Sequence, residues 1–165
     1  MRFNYNKKFM ELVNADFNLA VDPSHLDERL SGLRWITPDY IDNPSDEINL
    51  LIDVKNILLG IKDRKIIITD YQFFSSLLLN KVVSPNKWYD EISVPNKKNR
   101  YYYNYKNFFL NKIKYNEVKY IYFIGKRKHK MNFFDDLLYE NKCMNSRKIN
   151  DLLIEFDINK CNQIL

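Results

Sequence analysis

Lys65-Ile66-Ile67-Ile68-Thr69-Asp70-Tyr71-Gln72-Phe73-Phe74 is the stretch that decides the fold. Three consecutive isoleucines form a β-branched run of the kind that suits a strand covered on both faces. The run ends at Thr69-Asp70, and an apolar, helix-like segment follows at once. This is the outline of a strand-to-helix turn, and in open α/β sheets sites form at such strand carboxyl ends.

The flanks extend the pattern. Upstream, Asn43-Pro44-Ser45-Asp46-Glu47 offers a capping side chain, a proline for the first helical position and two acids for the positive helix end. Ile48, Leu51, Ile52, Leu58 and Leu59 line one face and Gly60 is a stop, which predicts a helix to about Leu59. Downstream, a helix is predicted over 71–80, then a loop with one short strand over 82–95, where Pro85 and Pro95 bracket Trp88 and Tyr89. A helix over 98–115, a strand over 118–125, a basic loop over 126–130, a short helix over 132–140 and a last strand over 152–158 complete the chain. Ahead of Asn43, residues 9–20 read as a short helix or irregular arm. Asp22-Pro23-Ser24 opens a predicted helix over 25–33, and 34–38 reads as extended because Pro38 restricts Thr37.

The alternation of helix and strand after Asn43 predicts an α/β fold: three-layer and Rossmann-like, with a small, mostly parallel sheet flanked by helices. The expected organisation is an N-terminal arm over 1–42 and an α/β domain over 43–165.

At 165 residues one domain is expected, and a chain of this size buries roughly 70% of its unfolded surface. A hydrophobic fraction of 45% excludes an intrinsically disordered chain. Three Gly and five Pro disfavour a turn-rich β-sandwich. The 12 Tyr and 11 Phe accompany abundant Asn, Lys and Ile, as a biased coding composition produces, so the number of any one of these residues carries little weight. Charge placement is more informative. Residues 1–80 carry net −3, residues 81–130 carry +10 and residues 131–165 carry −2. A basic middle between acidic ends suits either a polyanion-facing surface or a solvated face. No apolar run approaches the ~18 residues that span a bilayer, and the first residues lack the apolar centre of a signal peptide. Read alone this is a soluble chain, and a soluble piece of a larger membrane protein would read the same way.

Three glycines cannot build a phosphate-binding loop, so the turn at Asp70 lacks the dinucleotide fingerprint. Asp70 reads first as a helix cap, then as a ligand contact, and last as a catalytic carboxylate, with Gln72 a weaker version of the same. His25 and His129 stand in unrelated segments without a Cys or carboxylate at ligand spacing, so neither metal nor cofactor is expected. Lys126-Arg127-Lys128-His129-Lys130 shares a sheet edge with Asp70 if the two strands are parallel, and is either a phosphate-facing or a solvated loop. Tyr101-Tyr102-Tyr103 with Arg100 and Lys106 fits base stacking or, more simply, core packing. Cys143 and Cys161, the two cysteines, are small side chains in a reducing cytosol or a staple worth about 3 kcal/mol in an oxidising compartment.

Several phrases together resemble the soluble C-terminal region of bacterial multi-spanning membrane proteins of unknown function, themselves similar to lipid-linked-sugar glycosyltransferases and protein mannosyltransferases. They are Gly32-Leu33-Arg34-Trp35-Ile36-Thr37, Ile68-Thr69-Asp70-Tyr71-Gln72-Phe73, Pro85-Asn86-Lys87-Trp88-Tyr89 and Tyr120-Ile121-Tyr122-Phe123-Ile124, with the late Cys143 and Cys161. The resemblance implies a domain on the extracytoplasmic face of the cytoplasmic membrane (the periplasm), where Cys143 and Cys161 would pair; otherwise the chain is cytoplasmic. It implies as partners the membrane domain of a parent or neighbouring glycosyltransferase-like protein, with anionic lipid or lipid-linked sugar, and ranks nucleic acid below them. In such enzymes the catalytic carboxylate lies between membrane helices, so no catalytic residue is carried over.

Three functions are therefore weighed. The first is a non-catalytic domain, accessory to lipid-linked-sugar or acceptor binding. The second is a stand-alone basic α/β module for polyanions, either nucleic acid or anionic headgroups. The third is a small enzyme with a strand-end site at Asp70. The candidate ligand-binding residues are Asp70, Tyr71, Gln72, Trp88, Lys126 and Arg127.

Overall fold

The computed structural model describes residues 12–69, 71, 73–78, 82–86, 89, 93–126 and 144–161. The chain divides into two compact units, Met1–Val54 and Lys55–Leu165. Helix α1 (Pro44–Gly60) carries the boundary between them and has the limits that its proline entry and glycine stop predict.

In the first unit, 3-10 turns occupy Phe17–Leu19, Pro23–His25, Glu28–Leu30 and Pro38–Tyr40. The first three each start at an aspartate that accepts the backbone N–H two residues on: Asp16 from Asn18 and Asp22 from Ser24, both at 2.9 Å, and Asp27 from Arg29 at 3.2 Å. Such local bonds compete with helix formation. They account for the main correction here: the helix expected over 25–33 is two separate turns, broken where Asp27 is extended (φ −161°). Trp35 is extended as expected and exchanges backbone bonds of 3.0 and 2.8 Å with Val21.

The second unit holds a four-stranded sheet of β1 (Lys65–Thr69), β2 (Tyr120–Ile124), β3 (Asn145–Lys148) and β4 (Leu153–Asp157) in the order β1-β2-β4-β3. Strands β1 and β2 are parallel, from Lys65↔Tyr120 to Thr69↔Ile124. Strand β4 is antiparallel to both β2 and β3. The sheet is thus mostly antiparallel, where alternation of elements predicted a mostly parallel one. For the β3–β4 pair the reason is local. Only residues 149–152 separate β3 from β4, and a connection that short joins antiparallel strands alone. Asn150 closes the turn, its side-chain oxygen accepting from Leu152 N–H at 2.9 Å and Leu153 N–H at 2.8 Å. The helix expected over 132–140 lies outside the described residues.

Strand alternation sorts the two faces. Ile66, Ile68, Ile121, Phe123 and Phe156 point one way and share a buried core with Phe109 and Ile113 of α3 (Tyr102–Tyr115). All five residues of β1 are buried, so its other face, bearing Ile67 and Thr69, is covered too. Helix α3 ends in a Schellman arrangement: Val118 N–H donates to Ile113 O at 3.0 Å and Glu117 N–H to Lys114 O at 3.1 Å. Glu117 takes the left-handed position (φ 50°) that glycine usually fills. The helix predicted over 71–80 is a single turn, α2 (Phe74–Leu77), among the described residues.

Candidate functional site

The site is built where β1 ends. Thr69 is in register with Ile124, so β1 and β2 deliver their following loops to one end of the sheet, as the parallel reading of that pair required. Thr69 Oγ1 accepts from Tyr71 N–H at 3.0 Å and turns the chain toward α2. Phe73 stands at the N-cap of α2 and makes no side-chain cap hydrogen bond among the described residues. Asp70, for which a capping role was expected, lies outside the described residues.

The outer edge of β1 is held by the segment after α2. Val82 bridges Lys65 in parallel, Val83 N–H donates to Lys65 O at 2.8 Å, and Ser84 Oγ donates to Ile67 O at 2.9 Å. This is the short strand expected within 82–95, reduced to a bridge. Beyond it, Asn86 N–H donates to Tyr89 Oη at 3.4 Å and Asn86 Nδ2 to Ser93 O at 3.3 Å.

Between these pieces lies an open cavity of about 340 Å³ lined by Ile67, Thr69, Ser75, Ser76, Ser84, Asn86 and Tyr89. The volume is at the lower end of the ~300–1,000 Å³ typical of small-molecule sites. Its described lining offers five hydroxyls and one carboxamide. Tyr89 is buried, and burial pushes its phenol up to about 12 against the opposing hydrogen bonds from Asn86 and Ser84. The phenol is therefore neutral through the physiological range. Tyr105 on α3 is likewise raised, first by burial and then by the nearby Tyr89.

Of the six expected ligand residues, Asp70, Gln72, Trp88 and Arg127 lie outside the described residues. Tyr71 is half-buried and edge-on to Phe73 at 6.3 Å. Lys126 is exposed beside the β3–β4 turn, where its charge helps hold the Asp151 carboxyl below its usual value, after the larger effect of Lys148. Neither Tyr71 nor Lys126 lines the cavity. Cys161 is buried, and Cys143 lies outside the described residues; no cysteine among the described residues is free. His25 is exposed and His129 is outside the description. Among the described residues, no cluster of His, Cys, Asp or Glu could hold a metal, and no helix is long and apolar enough to cross a membrane.

Sequence reading passed over three features. The polar lining Ser84, Asn86 and Tyr89 stood inside a segment read as loop. Glu47, read only as an acid for a helix start, is fully buried and accepts from Trp35 Nε1 at 2.6 Å and from Thr37 Oγ1 at 2.9 and 2.8 Å. Tyr122 Oη donates to Glu155 Oε2 at 2.9 Å while Arg147 Nη2 donates to Glu155 Oε1 at 3.0 Å, linking β2, β4 and β3. Burial, then the Glu155 carboxylate, raises the Tyr122 phenol well above its ordinary value. Strand register alone places these three side chains on one face, but β3 had to be seen first.

Comparison with protein-family models, with curated proteins and with solved structures gives no match.

Proposed function

We propose that this chain is a binding module accessory to a membrane glycosyltransferase-like protein, with a strand-end cleft that takes the sugar part of an acceptor or of a lipid-linked donor. The observation that carries the reading is the composition of the cleft. Hydroxyls of Thr69, Ser75, Ser76, Ser84 and Tyr89 and the carboxamide of Asn86 surround about 340 Å³. Hydroxyls and amides both donate and accept, which matches the mixed demands of a polyhydroxylated ligand. The described lining has no charged side chain, so it favours a neutral ring over a free polyanion. Sitting at a strand carboxyl end adds the positional argument. In this reading the module stands on the extracytoplasmic face of the cytoplasmic membrane, beside the membrane domain of a parent or neighbouring protein, and does not transfer sugar by itself.

The test is an NMR titration of the protein with a panel of neutral hexoses, N-acetylhexosamines and their disaccharides at millimolar concentrations. The expected result is saturable shifts at the amides of Thr69, Ser75, Ser76, Ser84 and Asn86, weakened in Ser75→Ala and Ser84→Ala. Absence of shifts across the whole panel refutes the reading. Asp70→Ala extends the test to the adjoining turn: loss of sugar binding with folding retained makes Asp70 a ligand contact.

A further inference from the structure

Away from the cleft, one flank of α3 carries a row of exposed rings. Tyr101, Phe108 and Tyr115 are 54%, 43% and 83% exposed. They are seven residues apart, and a helix turns only ~20° short of closure per heptad, so the rings fall in one nearly straight stripe. At ~1.5 Å per residue the stripe is ~21 Å long. The adjacent face of the helix, about 100° round and carrying Tyr102, Phe109 and Ile113, is committed to the core. Cations border the rings: Arg100 lies 4.5 Å over Tyr101, and Lys112 is 5.8 Å from the Phe108 ring. Residues 96–116 contain six Lys or Arg and no Asp or Glu.

We infer that this flank of α3 is a docking surface for an anionic lipid interface. Charge complementarity selects an anionic partner: Arg100 and Lys112 stand beside the exposed rings, and a basic surface would be repelled by them. Shape selects a plane. A straight row on the convex flank of a helix meets a flat surface along its whole length. Single-stranded nucleic acid is instead held in a groove that tracks its backbone. The ring chemistry agrees, because tyrosine rings settle at headgroup depth with their hydroxyls in water, and Phe108 between them adds apolar area. Lysine and arginine near such a surface each strengthen binding roughly five-fold. The inference stands on α3 alone and does not depend on the sugar reading of the cleft.

The experiment is co-sedimentation of the protein with vesicles of phosphatidylcholine alone and of equimolar phosphatidylcholine and phosphatidylglycerol, at low and high salt. Two variants accompany the wild type: Tyr101→Ala/Phe108→Ala/Tyr115→Ala, and Arg100→Gln/Lys112→Gln. All five positions are exposed, and circular dichroism confirms the fold. Wild type is expected to bind the mixed vesicles, to release them at high salt and to bind the neutral ones weakly. The aromatic variant is expected to lose most of the binding and the charge variant to lose roughly ten- to thirty-fold. Equal binding to both vesicle types, no binding to either, or variants that bind as wild type overturns the inference. So does preferential binding of a single-stranded oligonucleotide that mixed vesicles fail to displace.

Discussion

Glu47→Ala tests the buried carboxylate of the first unit. Glu47 is fully buried and takes hydrogen bonds from Trp35 Nε1 at 2.6 Å and from Thr37 Oγ1 at 2.8 and 2.9 Å. These tie the extended 35–37 segment to the first turn of α1. A hydrogen bond contributes about 0.5–1.5 kcal/mol and a donor left without its acceptor costs about 1–3 kcal/mol; truncation deprives both donors of this acceptor, so the expected loss is about 3 kcal/mol. Thr37→Val removes one donor at nearly constant shape and should cost about 1.5 kcal/mol. Because the two residues share the bond, the double variant should fall short of the summed single losses by about 1 kcal/mol. Urea unfolding followed by tryptophan fluorescence is the assay, since Trp35 is itself a donor. With a slope of about 2 kcal/mol/M, Glu47→Ala should lower the midpoint by about 1.5 M. Glu47→Gln, which keeps the shape and one acceptor oxygen, should fall between. A midpoint shift below about 0.3 M, or strictly additive losses at 37 and 47, refutes the reasoning.

Three further outcomes follow from described features. Tyr89 has its phenol raised to about 12 from 10.0 by burial, so its contribution to stability is complete below pH 10 and is lost as pH rises toward 12. The loss runs at about 1.4 kcal/mol per pH unit, and Tyr89→Phe should unfold less steeply with alkali than wild type; equal steepness sinks the assignment. Glu117→Gly should raise the urea midpoint by the equivalent of about 0.5–1 kcal/mol, because glycine adopts φ 50° without a Cβ penalty; a lower midpoint would contradict the strain argument. Thiol counting on denatured, unreduced protein from its native compartment should find no free thiol if the extracytoplasmic placement holds, since Cys143 and Cys161 would pair there. Two free thiols would remove the extracytoplasmic placement.

Elements with a buried apolar signature were legible in the chain. The Ile66–Ile68 run gave β1, Tyr120–Ile124 gave β2, and the proline entry and glycine stop framed α1, because each pattern is a direct consequence of burial or capping. Strand β3 was not legible: Asn145, Ser146, Arg147 and Lys148 are all exposed, and an edge strand of this kind is held by backbone pairing that leaves no side-chain period. Missing β3 hid the hairpin, and with it one of the two antiparallel pairs of the sheet. The N-terminal turns escaped for a different reason. Leu26, Leu30 and Leu33 keep helical spacing, but Asp27 bonds its own backbone and interrupts the helix. At the site, the strand end was readable from Ile-Ile-Ile-Thr, whereas Ser84 and Asn86 reach the cleft only because 82–84 lies along β1, a long-range pairing with no local mark.

The sheet order also sets a sequence of assembly. Paired residues in the β3–β4 hairpin, such as Lys148 and Ile154, are six apart, whereas β1 and β2 pair Lys65 with Tyr120, fifty-five apart. Closing the larger loop costs about 2 kcal/mol more in chain entropy. The hairpin is thus expected to gain amide protection early in refolding, and the β1–β2 pair late, as pulse-labelled hydrogen exchange would resolve. The cleft depends on β1 and on the segment bridged to its edge, so ligand competence should be the last property the refolding chain acquires.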